Sequence, residues 1–341
     1  MMNHVRVEPQ HVGQPTTSMR TRQIFLQNHR QSLRWISEEM KKKSAHQNRR
    51  CDAKMQKEIS DRKCYPYHMD HLPDSFQQRA LKEFNETPET RQVELKKLKD
   101  LLSADKFAAH IEFEEDFLQL FLRYRKYDSS KAFQAVRNFL SFRNTYSSIF
   151  QTIPDVHFKD NPSTRFTTVL PYRCPDGCAV VLHELRKWNP NELSLEHFKT
   201  IVLSSFLLPL RCPMTQISGF KIIYDFKDTN KRFRYCTPQN INIYYNAAFN
   251  CVPGRYKEIH CVNKSVILTA VWAVLKPFLS EKMRKRIFFH SNPEDLLNYF
   301  PSSTIPTQYG GSLDNHHDSE LMQKLNEEFE NYPHGGLPNY F

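Results

Sequence analysis

The sequence predicts two folded parts in series: an all-helical module over residues 71–155, then an α/β domain over residues 156–312 with a mainly parallel sheet and crossover helices. Three observations carry this. Apolar residues recur at helical spacing from Phe76 to Leu140 without an intervening strand pattern. Beyond residue 170, short β-branched or aromatic runs alternate with helical stretches. The helical stretches between them are long enough to serve as crossovers, which parallel neighbours require.

In order, Pro73-Asp74 starts a helix with Phe76, Ala80, Leu81 and Phe84 on its apolar stripe. Thr87 is the N-cap and Pro88 the first residue of the next, whose stripe is Leu95, Leu98, Leu101 and Leu102. Phe113–Tyr127 and Ser129–Phe142 complete the module, the last with Phe133, Val136, Phe139 and Leu140 inward. Ala179–Leu185 follows a Pro-Asp-Gly turn as a strand, Leu195–Leu208 is a helix, and Phe220–Phe226 is a near-continuous apolar strand. Pro238–Phe249 is a helix and Tyr256–Val262 a strand. A helix from about Asn263 to Leu275 is stopped by Pro277, which lacks an N–H, and Ser280 caps the next turn.

Residues 1–70 carry fourteen Lys/Arg against seven Asp/Glu and read as a basic, mostly disordered extension; residues 313–341 read as a polar tail. Pro253–Arg286 carries eight Lys/Arg against two Glu, so much of the net charge of +11 sits in two places. Such local excess points to acidic partners, either nucleic acid or anionic lipid. Eight glycines leave no G-x-G-x-x-G or P-loop, and no H-E-x-x-H or G-x-S-x-G occurs. Eight cysteines without a C-x-x-C pair, and a polar residue 1–20 segment, read as reduced thiols in the cytosol. The apolar runs Ile201–Leu210 and Val266–Leu275 are well short of the ~20 residues that span a bilayer.

Several pieces together resemble one family. Asp116-Phe-Leu-Gln-Leu-Phe-Leu-Arg123-Tyr-Arg125-Lys-Tyr-Asp128 is similar to the helical-module signature of CRAL-TRIO proteins, and Asn85-Glu-Thr-Pro-Glu-Thr90 fits upstream of it. Gly219-Phe-Lys-Ile-Ile-Tyr-Asp225, Lys257-Glu-Ile-His260, Lys276-Pro-Phe-Leu279 and Ile305-Pro-Thr-Gln-Tyr-Gly-Gly311 follow in the family's order. The resemblance spans residues 72–312 and is strongest toward the tocopherol-transfer, clavesin and retinaldehyde-binding branches.

It implies a CRAL-TRIO lipid-binding domain: an apolar cavity under a mobile gate helix, beside a basic surface for phosphoinositides. By position, the resemblance assigns the headgroup to Arg125, Arg255, Lys257, Lys282 and Arg286. Arg255 and Lys257 are two apart in a strand and Lys282 and Arg286 four apart in a helix, so each pair shares a face. The order Arg then Lys reverses the family's, which leaves the phosphate pattern open. Arg123 reads as a structural cation, and Arg284 and Lys285 as general membrane-facing charge. Ser204, Ser205, Leu208, Phe220, Ile222, Tyr224, Tyr244, Ala247 and Ala248 are the implied cavity set, each equally suited to plain core. Tyr224 and Tyr244 replace smaller or less polar family residues, which counts against tocopherol itself. The gate is Val266, Ile267, Ala270, Val271, Val274 and Leu275, with Phe278. His260 reads as a core histidine.

The functional expectation is a non-enzymatic carrier that holds a hydrophobic small molecule or lipid (tocopherol-, retinoid- or phospholipid-like), with no metal and no other cofactor. Phosphoinositide-bearing membranes, endosomal or other, are the expected partner of a cytoplasmic, reversibly peripheral monomer that takes no nucleic acid. Two alternatives remain: a phosphoinositide-binding adaptor with a vestigial cavity, and a nucleic-acid binder acting through residues 1–70.

Overall fold

The computed structural model describes residues 72–150 and 162–314. The expected extension 1–70, and all but the first two residues of the expected tail 313–341, lie outside the described residues.

Four helices open the described chain: α1 (Asp74–Phe84), α2 (Pro88–Ser103), α3 (Glu115–Tyr124) and α4 (Ser129–Thr145). Local chemistry sets their ends. Asn85 closes α1 in the left-handed conformation, its N–H returning to Leu81 and the Glu86 N–H to Ala80. Thr87 accepts from the Thr90 N–H at the start of α2, and Asp128 from the Lys131 N–H at the start of α4. The stripes are narrower than periodicity alone predicts. Leu81 and Leu101 face solvent and Phe133 is half-buried, while Phe76, Ala80, Phe84, Leu98, Leu102, Val136, Phe139 and Leu140 form the core. The third helix is shorter than Phe113–Tyr127 at both ends. Phe113 precedes it, stacked on Phe117, and Lys126 and Tyr127 adopt positive φ, which a helix excludes.

The sheet has five strands in the order β1 (Thr167–Val169), β2 (Ala179–Glu184), β3 (Phe220–Asp225), β4 (Tyr256–Val262) and β5 (Ile287–Phe289). The β2–β3, β3–β4 and β4–β5 pairs are parallel and β1–β2 is antiparallel. The mainly parallel sheet was legible, but the three-residue edge strands β1 and β5 were not. The crossovers carry α5 (Leu195–Leu207), α6 (Pro213–Ser218), α7 (Pro238–Asn246) and α8 (Val266–Leu275), followed by the single turn α9 (Glu281–Arg284). Gly219 enters β3 at φ +87°, where an added Cβ would lie 2.0 Å from the Arg255 carbonyl oxygen; only glycine lets β3 and β4 close up there.

The two faces of the sheet bury different layers. Ala179, Val181 and Ile222 join the main core with the four helices of the module. Val180, Leu182, Ile223 and Val262 pack against Leu296, Phe300, Ile305 and Tyr309 of the C-terminal turns. The helical module is thus one wall of the same core. Arg123 locks it, paired with Glu86 at 2.6 Å and donating to Gln216 on α6. The expected structural role of Arg123 agrees with this burial.

Candidate functional site

On the module side of the sheet lies a cavity of about 310 Å³, within the range of ~300–1,000 Å³ typical of small-molecule sites. Its floor is the sheet face carrying His183, Ile222, Tyr224, Ile259 and Cys261. One wall is α5, which presents Leu195, Phe198, Lys199, Val202, Leu203 and Phe206, a single helical face. The opposite wall is α7 and the π-helical turn that continues it over Ala247–Cys251, with Tyr244, Ala247, Ala248 and Phe249 inward. The roof is α8.

Five of the nine expected cavity residues line this space: Ile222, Tyr224, Tyr244, Ala247 and Ala248. Four do not. Ser204, Ser205 and Leu208 lie off the lining face of α5; Leu208 packs in the main core, and the Ser205 hydroxyl is spent on the Val202 carbonyl at 2.7 Å. Phe220 is buried at the start of β3, edge-on to Phe206 at 5.4 Å, and fills core rather than cavity.

The roof helix is fixed at both ends. The Ser265 hydroxyl accepts from the Leu268 N–H at its start and lies 3.3 Å from the Thr229 hydroxyl, which donates to the Phe226 carbonyl and is left to accept from Ser265. At its end Lys276–Phe278 tightens to a 3-10 turn around Pro277, and Ser280 caps α9 as expected. The face turned to the cavity is Ile267, Leu268, Val271, Trp272, Leu275 and, past the helix, Leu279. Leu268 and Trp272 were missing from the expected gate set. Val266 (67% exposed), Val274 (38%) and Phe278 (67%) point outward, and Ala270 is half-buried off the cavity lining. A helix apolar on all sides gives periodicity no face to select.

The cations sort into two kinds. Arg255 precedes β4 and is held inside the fold. It pairs with Glu83 at 2.8 Å, donates to the Ile217 carbonyl, and lies 4.6 Å over the Phe84 ring. Burial raises the Glu83 carboxyl, but hydrogen bonds from Arg79 and Arg255 outweigh it and hold the group at about 2. Arg286 donates to the Tyr256 carbonyl from beyond the end of α9, so it shares no helical face with Lys282. Burial lowers the Lys257 pKa and the neighbouring Arg255 charge lowers it further; burial and then Arg255 do the same to Arg286. Arg255, Lys257 and Arg286, with Arg79, therefore form one field of mutually repelling charge. Lys282 is exposed on α9. Arg125 caps α3, its guanidinium 4.4 Å over the Tyr124 ring and its Nε buried without a partner.

Tyr256 pairs with Phe220 and Glu258 with Lys221, so Lys257 is the extra residue of a β-bulge. The bulge lets Tyr256 and Ile259 both line the cavity, which strict alternation forbids. Sequence reasoning also missed the turn Asn230–Tyr235, which presents exposed Lys231, Arg234 and Phe233 (51%) beside Thr229, the neighbour of the roof-helix cap Ser265. Its signal was the run Lys-Arg-Phe-Arg. His260 lies on the other sheet face, fully buried, stacked on Phe288 and bonded to His290 at 2.9 Å and Glu258 at 3.2 Å. Among the described residues no cluster of His, Cys, Asp and Glu has the makings of a metal site, and no helix is long and apolar enough to cross a membrane.

The CRAL/TRIO domain signature matches residues 164–311. The alpha-tocopherol transfer protein-like protein of Homo sapiens is 30% identical over 250 residues, covering 72% of this chain and 73% of that protein. Clavesin-1 of Rattus norvegicus is 26% identical over 250 residues, covering 71% and 69%. Clavesin-2 of Rattus norvegicus is 27% identical over 248 residues, covering 69% and 73%.

Proposed function

The chain belongs to the CRAL/TRIO family, and on that footing we propose that it binds a hydrophobic small molecule or lipid in the cavity under α8 and hands it over at membrane surfaces. The observation that carries this is the cavity itself: about 310 Å³, walled by apolar side chains from the sheet, α5, α7 and the roof helix. An apolar space of that size is suited to burying the surface of an apolar molecule.

Retention and release then need a gate. Burying ~600 Å² of apolar ligand surface is worth about 15 kcal/mol gross at ~25 cal/mol per Å², so escape into water is slow. The roof helix offers the alternative route. Its inner face lines the cavity, while Val266, Val274 and Phe278 face outward. Exposed Lys264, Lys276, Lys282, Arg284 and Lys285 flank it. An apolar face rimmed by cations is the pattern of an interfacial helix, and it supports docking of this side on an anionic membrane. Phosphoinositide headgroups suit the field of Lys257 and Arg286, with exposed Lys282 as a further cation. No catalytic step is assigned.

Native mass spectrometry of the purified protein tests the carrier reading. The expected result is a stoichiometric, solvent-extractable apolar adduct. Protein that is empty from several expression hosts, and that takes up no lipid from mixed vesicles, would sink this reading and favour the adaptor.

A further inference from the structure

The outer side of α8 leaves Val266, Ala273 and Val274 exposed, and Phe278 extends that stripe past the helix. Positive charge surrounds it. From Lys264 to Arg286 the chain has six Lys/Arg and one acid, Glu281, which is paired with Lys285 at 2.5 Å. An open apolar stripe in such a field fits an acidic, amphipathic partner. A second copy of the same face would set like charge against like.

The chain carries a segment of the required chemistry. Residues 318–332 hold Asp318, Glu320, Glu327, Glu328 and Glu330 against Lys324 alone. Leu321, Met322, Leu325, Phe329 and Tyr332 recur at helical spacing, with Glu320, Glu327 and Glu330 off that stripe and Glu328 at its edge. The point of attachment is also suitable. The Tyr309 hydroxyl donates to Asp225 Oδ2 at 2.8 Å, and Asn263 donates to Asp225 Oδ1 at 2.7 Å. One carboxylate thus joins the turn Thr307–Tyr309 to the residue two before the roof cap Ser265. The Leu313 N–H is held by the Ile305 carbonyl at 3.0 Å. From Asp314 to Glu320 the chain can span ~20 Å, more than the ~15 Å length of a ten-residue helix such as α8.

We infer that the acidic segment 318–332 docks along the outer face of α8, so that it and an anionic membrane compete for one surface. The contact stands on its own chemistry; its consequence, that the segment holds the carrier off the bilayer, rests on the membrane reading above. A tethered segment acts at an effective concentration in the mM range. A contact of about 0.1 mM intrinsic affinity then weakens apparent vesicle affinity by roughly 10-fold.

Zero-length carbodiimide coupling of the full-length protein, with peptide mapping of the monomer fraction, reads the contact. Amides joining Lys264, Lys276 or Lys282 to Glu320, Glu327, Glu328 or Glu330 are expected, and saturating phosphatidylcholine–phosphatidylserine vesicles should suppress them. The charge-neutral double variant Leu325→Ser with Phe329→Ser should lose the couplings and sediment with those vesicles at about 10-fold higher affinity. Native monomer without these couplings, or couplings found only between two copies, overturns the inference and leaves the membrane reading intact. Couplings that persist on vesicle-bound native protein, or a folded double variant with native vesicle affinity, overturn the competition. If the couplings form but neither protein binds vesicles, the contact holds and the membrane reading falls. The native map, with and without vesicles, decides the matter even where the double variant does not fold.

Discussion

Arg255 and Lys282 carry the same charge in different company: Arg255 is tied to Glu83 inside the fold, Lys282 is exposed, and the proposed docking surface needs the second kind. Arg255 is one of two cations that hold the Glu83 carboxyl at about 2, the other being Arg79. Replacing it with Ala leaves a partly buried carboxylate half-satisfied, at a cost of about 1–3 kcal/mol. Thermal melting should show a clear loss of stability for Arg255→Ala. The combination Lys257→Ala with Lys282→Glu should melt near the native temperature yet lose most retention on phosphatidylinositol-bisphosphate vesicles. Undiminished retention would remove these lysines from the headgroup surface. The sequence supplied the identity of these cations but not this division. Glu83 lies 172 residues from Arg255, and nothing local marks the pair. The bulge at Lys257 was not read either: Lys257 and Glu258 interrupt the alternation, but only their pairing with Phe220 and Lys221 fixes which residue is extra. The resemblance put Ser204 and Ser205 in the cavity set, whereas the Leu195, Phe198, Val202 and Phe206 face of α5 lines the cavity.

At the scale of the element, α8 is the part whose motion the proposed function needs. Its position and its stop at Pro277 were readable from a ten-residue apolar run and a proline. Its start was not, since Asn263 takes positive φ and Ser265 is the cap. That cap sets a threshold for opening. Ser265 joins the first turn of the roof to Thr229 of the neighbouring loop, so any outward swing breaks a hydrogen bond between segments as well as the cap. Removing an N-cap hydroxyl typically costs about 1 kcal/mol. Ser265→Ala should therefore raise the rate of ligand transfer between donor and acceptor vesicles by about 5-fold, with little change in global melting. A transfer rate indistinguishable from native would mean that the roof opens elsewhere. The edge strands β1 and β5 show the limit of legibility at this scale. Three residues give too short a run for alternation to register, and only their neighbours make them strands.

Across the whole molecule, the helical module and the sheet share one core. The module's Phe76, Phe84, Phe121 and Phe139 belong to the same buried cluster as Val181, Ile222, Leu203 and Phe206 of the α/β layers. The succession of helices and strands, and hence the fold class, was legible because each element carries its own period and caps. Their fusion was not, because it depends on pairs far apart in sequence. Glu86 and Arg123 are 37 residues apart and Arg123 and Gln216 are 93 apart. Both members of the ion pair are nearly inaccessible, with side-chain exposures of 7% and 8%. Breaking such a pair by removing one partner strands a buried charge and costs about 3–5 kcal/mol. The consequence reaches the cavity, since Phe206 on its wall belongs to the core that Arg123 helps close. In Arg123→Ala, helical circular dichroism and retention of the bound apolar molecule should therefore be lost together, in one transition at a lower temperature. Loss of helical signal well before ligand release would show that the module folds as a separate unit and that the cavity does not depend on it.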